Sequence, residues 1–104
     1  MDYQGQILQD NTELHRFELH VDGHTAFIEY KLVRGLLFFL HTEVPLVIRK
    51  KGVASATVQK AFQYAEDNNY KIVPICAFVQ DFLKKHKEYT GLVAPGAERF
   101  VHKT

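Results

Sequence analysis

The sequence predicts an α/β fold, and three of its features do so. The first half alternates apolar and polar residues with a period of two, whereas the second half repeats apolar residues at helical spacing. The change falls at Pro45. Two dipeptides suited to tight turns, Asp22-Gly23 and Arg34-Gly35, cut the first half into hairpins. The expected order is β-β-β-β-α-β-α: a mixed, mostly antiparallel sheet with two helices.

Each element has its own reason. Glu13 to Val21 places Phe17, Leu19 and Val21 at every second position, and His24 to Val33 does the same with Ala26, Ile28, Tyr30 and Leu32. Leu36 to Val44 holds the run LLFFL, apolar on both faces, which predicts a central strand covered on each side. Gln6 to Leu8 supplies a short first strand. Beyond Pro45, Val53, Ala54, Val58, Ala61, Phe62 and Ala65 mark one face of a helix that Asp67, Asn68 and Asn69 terminate. Tyr70 to Cys76 is a short buried strand, so the middle of the chain forms a right-handed parallel crossover. A second helix is expected from Val79 to Glu88, with Val79, Phe82, Leu83 and His86 on one face. From Thr90 onward Gly91, Pro95 and Gly96 interrupt any period, predicting a loosely packed strap.

Composition bounds the rest. A chain of 104 residues forms one domain, 1–104, and 46% hydrophobic residues suffice for a core. A net charge of +1 gives no overall field to draw in nucleic acid or an anionic membrane. One cysteine, Cys76, allows no intramolecular disulfide and fits a reducing compartment. With a polar N-terminus and no apolar run near membrane-spanning length, a cytoplasmic protein is expected, a monomer or weak dimer. His20 and His24 flank a turn without further ligands nearby in sequence, so no metal site is expected.

The stretch from His41 to Ala54, HTEVPLVIRKKGVA, carries the functional signal. A strand ends at a proline, a basic loop follows, and a glycine opens a helix. The first amides of that helix and its dipole both favour an anion, and Arg49, Lys50 and Lys51 add charge. A glycine at 52 lets backbone approach a phosphate where a side chain would block it, and Ala54 keeps that approach close. The plain alternative is a basic turn.

Arg49-Lys50-Lys51-Gly52-Val53-Ala54 fits the pattern Arg/Gln-x-x-Gly-x-Gly/Ala and resembles the pyrophosphate loop of the GNAT superfamily of acetyl-CoA-dependent N-acetyltransferases. The strand before it, the helix after it, and the order of the remaining elements agree with that resemblance. His41 to Pro45, Lys71 to Cys76, and Phe82 to His86 with Glu88-Tyr89 narrow it to a small GNAT-like family of stand-alone domains. The resemblance implies acetyl-CoA as co-substrate, with the amides from Lys50 to Ser55 on the pyrophosphate. It implies pairing of the strand end at Glu43 and Val44 with pantetheine, and an amine of a protein or small molecule as acceptor. One feature departs from the commoner pattern: the second helix has no tyrosine before Tyr89 to protonate a departing thiolate.

Three side chains are candidates for the chemistry. Cys76 lies between a strand and a helix, where the dipole favours charge on sulfur, and can protonate the thiolate or carry the acetyl group; it can equally be a small core residue. His41 and Glu43 fall on one face of their strand, and either can accept the amine proton. Imidazole titrates near neutrality, whereas a glutamate needs burial to serve there. The amide of Val44 is the expected oxyanion donor if the strand splays from its neighbour. Against a transferase stands a CoA-binding module with little or no turnover. A nucleic-acid-binding domain fits less well, given the charge balance.

Overall fold

A computed structural model describes residue 3 and residues 5–101, with the side chains of Lys50 and Lys51 outside the described residues. Five strands run in sequence order across one sheet: β1 Gln9–Asn11, β2 Arg16–Val21, β3 His24–Val33, β4 Leu36–Glu43 and β5 Lys71–Pro74. Two α-helices, α1 Val53–Asp67 and α2 Ala77–Lys85, flank β5 in the chain. The first four strands pair antiparallel, while β4 and β5 pair parallel across the α1 crossover. Both hairpin turns take left-handed φ at both residues, 52° and 78° at Asp22-Gly23, 50° and 79° at Arg34-Gly35. That geometry matches the twist of the strands they join.

The helices lie side by side on one face of the sheet. Phe62 of α1 stacks on Phe39 of β4 at 5.8 Å and meets Phe82 of α2 edge-on at 5.4 Å. Phe17, Ile28, Leu37 and Ile72 complete this core from the strands. Burying each such side chain contributes about 1.5–3 kcal/mol. A second cluster of Leu19, Val21, Ala26, Val44, Ile48 and Val53 anchors the far end of β4 to the start of α1. The Tyr30 hydroxyl donates to Asp10; burial and then that carboxylate hold its phenol well above the usual range. Among the described residues no helix is long and apolar enough to cross a membrane.

Four expectations need correcting. The first strand is Gln9–Asn11, not Gln6 to Leu8. β4 lies one strand in from the edge, and only one of its faces is covered: Leu37 and Phe39 are buried, but Leu40 is 43% exposed. The basic loop is a 3-10 helix, Leu46–Lys51. The C-terminal strap is packed rather than loose, because Val93 bridges to Ile72, the Ala94 amide bonds Ile72, and Ala97 and Val101 are buried.

Candidate active site

The parallel ladder stops short. Its last register pair is Phe39 with Pro74, followed by one bond from the Cys76 amide to the Phe39 carbonyl at 2.9 Å. β4 runs on to Glu43 with only β3 beside it, so its other edge is open from Leu40. A cleft of about 290 Å³ opens there, lined by Thr42, Glu43, Val44, Arg49, Ala54 and Phe78. The strand end, the entry to α1 and the first turn of α2 all contribute to it.

The entry to α1 is built from backbone. Gly52 takes φ 73° and ψ 17°, left-handed, and a Cβ there would meet nothing within 4 Å. No side chain caps the helix, and its first turn holds no acidic residue. The first bond into the loop is from Ala56 to the Gly52 carbonyl, leaving the amides of Val53, Ala54 and Ser55 ahead of it at the positive end of the dipole. Val53 is fully buried and fixes that end, while Ser55 is exposed. The Arg49 guanidinium turns back and donates to the Val44 carbonyl, Nη2 at 3.1 Å and Nε at 3.4 Å. Its charge therefore stays at the cleft mouth.

A bulge decides where the candidate chemical groups point. Glu29 pairs with His41 but Tyr30 pairs with Phe39, so Leu40 is an extra residue in β4. The alternation shifts there. Thr42, paired with buried Ile28, joins the helix-covered face, whereas His41 and Glu43, paired with Glu29 and Phe27, take the opposite one. On the helix side Thr42 Oγ1 lies 3.4 Å from Cys76 Sγ. Cys76 is buried at the N-cap of α2. On the other side His41 Nε2 lies 2.6 Å from Glu43 Oε1. A carboxylate can only accept, so Nε2 carries the hydrogen and Nδ1 is left to accept a proton. Both side chains are more than half exposed, at 56% and 51%.

The residue pattern placed His41 with Glu43 but missed Thr42, whose contact with a residue 34 positions away depends on the bulge. Tyr89 packs on Phe62 at 5.3 Å and lines a separate hollow with Glu66 and Lys71, away from the cleft. Among the described residues, no three side chains of metal-ligating type come together.

Residues 16–92, from β2 through the turn after α2, match the model of the GCN5-related N-acetyltransferase family. The chain belongs to that family. Its fold is similar to the NMR structure of a GCN5-like N-acetyltransferase candidate from Staphylococcus aureus, with a TM-score of 0.65. The two are 23% identical over 85% of this chain and 87% of that one. At that identity the likeness speaks for the fold. The mixed, mostly antiparallel sheet with its helices is thus a GCN5-related N-acetyltransferase fold.

Proposed function

We propose that the whole chain is one catalytic domain that moves acetyl from acetyl-CoA to a primary amine. The observation that carries this is the coincidence of the open edge of β4 with the uncapped start of α1. Both border one cleft that also reaches Glu43. The amides of Val53, Ala54 and Ser55, opened by the left-handed Gly52, hold the pyrophosphate, and the backbone of Glu43 and Val44 pairs with pantetheine. The open space above Gly52 and the apolar Ala54 and Phe78 in the cleft fit such a ligand. Arg49 adds attraction at the mouth.

Acetyl-CoA supplies the acetyl group as a reactive thioester. His41 takes a proton from the acceptor ammonium at Nδ1 or through water, with Glu43 orienting its ring. The Val44 amide donates to the carbonyl oxygen as negative charge develops there. A carbon–nitrogen bond forms, the carbon–sulfur bond breaks, and the nitrogen sheds its second proton to solvent. Cys76 returns a proton to the departing thiolate, with its sulfur positioned by Thr42. The products are an N-acetyl amine, CoA and one net proton. Release of CoA thiol with a panel of amines tests this reading, since turnover requires both substrates. Acetyl-CoA binding without turnover would favour the CoA-binding module, which the exposure of His41 and Glu43 also fits.

A further inference from the structure

Opposite the helices, the exposed strip of β3 and β4 changes character along its length. Near the Arg34-Gly35 turn, a groove of about 300 Å³ is lined by Val33, Leu36, Phe38 and Leu40, with Lys31 and Arg34 as its charged members. Val33 and Leu40 are 40% and 43% exposed, so the apolar floor faces solvent. Among the described residues, no carboxylate lines the groove. It ends at Leu40, and the next residue is His41, bonded to Glu43. There the sign of charge reverses, because Glu29 is the register partner of His41. Arg16, the other register neighbour of Glu29, is taken up by Glu18 at 2.6 Å and lies over the Phe27 ring. Glu43 also lines the cleft at the open edge of β4, so the acidic end of the strip adjoins the cleft mouth.

Building on the acetyltransferase reading, we infer that this strip is the acceptor site and that it takes an extended polypeptide segment bearing the amine. The ammonium is drawn to Glu43 and Glu29 beside His41. Apolar side chains of the segment lie on Leu36, Phe38 and Leu40, an acidic residue beyond them faces Arg34 at the turn, and Lys31, across from Phe38, adds positive charge along the way. At the rise of a strand, Leu36 to His41 spans about 16 Å, or roughly five residues of extended chain. A small amine is too short to meet both ends. Opposite charges at the two ends also set the direction of the segment, amine towards the cleft and acid away from it. The bonds made and broken are those given above.

Two synthetic peptides test this. Each has a free N-terminal amine, then alternating leucine and serine, and an amidated C-terminus; one ends in two glutamates and the other in two lysines. Amide-shift mapping of the labelled protein without acetyl-CoA reads docking alone, and acetylation with acetyl-CoA reads the complete site. The acidic peptide should shift Lys31, Leu36, Phe38 and Leu40 and bind about fivefold tighter than the basic one, since each exposed ion pair contributes modestly. The K31E/R34E double variant should reverse that preference. Shifts elsewhere, equal affinities, or an unreversed preference would overturn the inference. So would self-association through this face that is lost in Phe38→Ser. Docking on the strip by a chain that fails to bind acetyl-CoA would support the surface and sink the transferase reading. Acetylation of small amines without peptide docking would do the reverse.

Discussion

Gly52 sits at φ 73° and ψ 17°, where an L side chain costs about 1–2 kcal/mol. Because a Cβ there would touch nothing within 4 Å, Gly52→Ala adds strain without a clash in the free protein. Its stability should fall by about 1–2 kcal/mol, which lowers the melting temperature by roughly 4–8 °C per kcal/mol in a domain of this size. Asparagine tolerates the left-handed region better, so Gly52→Asn should lose less stability despite its larger side chain. Ligand binding should rank the two in the opposite order. Both side chains occupy the space over the loop, and asparagine fills more of it. Acetyl-CoA affinity should drop at least about tenfold in Gly52→Asn, a loss of about 1.4 kcal/mol, and less in Gly52→Ala. Thermal unfolding by circular dichroism and calorimetric titration of acetyl-CoA read the two orders independently. If affinity follows stability, or does not move, Gly52 is only a turn glycine and the loop holds no phosphate.

Three further outcomes follow from the same geometry. Cys76→Ala should lower turnover while leaving acetyl-CoA affinity near wild type; Thr42→Val, losing one neutral hydrogen bond, should lower it about fivefold. Unchanged turnover in both would return the pair to core packing. His41→Ala should lower turnover and change the shape of the pH–rate profile, and an unaltered profile would give the proton to water or Glu43. For Glu18, burial pushes the carboxyl up, but hydrogen bonds from Arg16 and Asn11 with the charges of Arg16 and His20 outweigh it and hold it below the ordinary 4.5. The unfolded chain therefore binds that proton more readily. The stabilisation is complete above the unfolded value and is lost as pH falls through the depressed folded one. Denaturant titrations from about pH 3 to 7 should show a flatter acid limb in Glu18→Gln, and an unchanged limb would remove Glu18 from acid unfolding.

Much of the fold was legible because local and tertiary demands agree. The segment His24–Val33 was bounded by two turns whose residues accept left-handed φ, and the strand appears at those bounds. Val53, Val58, Ala61, Phe62 and Ala65 were placed by helical period and all are buried. β1 was misplaced because QDN is an exposed edge with no apolar period to reveal it. The LLFFL run hid two things. Its apolar residues on the second face face solvent in part, and the bulge at Leu40 leaves no trace in a run that is apolar throughout. Spacing alone joined His41 to Glu43, two residues apart on one face. It could not separate them from Thr42 and Cys76 across the strand, since that follows from a register shift. Nor could it foresee that Arg49 turns back to the Val44 carbonyl, a bond made possible by the 3-10 turn between them.

Acetyl-CoA held by the amides that open α1 is the central claim, and calorimetry tests it most directly. Acetyl-CoA is titrated into the purified chain beside S-acetylpantetheine, which keeps the thioester and pantetheine but lacks the pyrophosphate. Saturable binding of acetyl-CoA, weakened at least about tenfold in the shorter ligand, is expected if the amides hold the pyrophosphate. Equal affinity for the two, or no binding of acetyl-CoA at millimolar concentration, would contradict it.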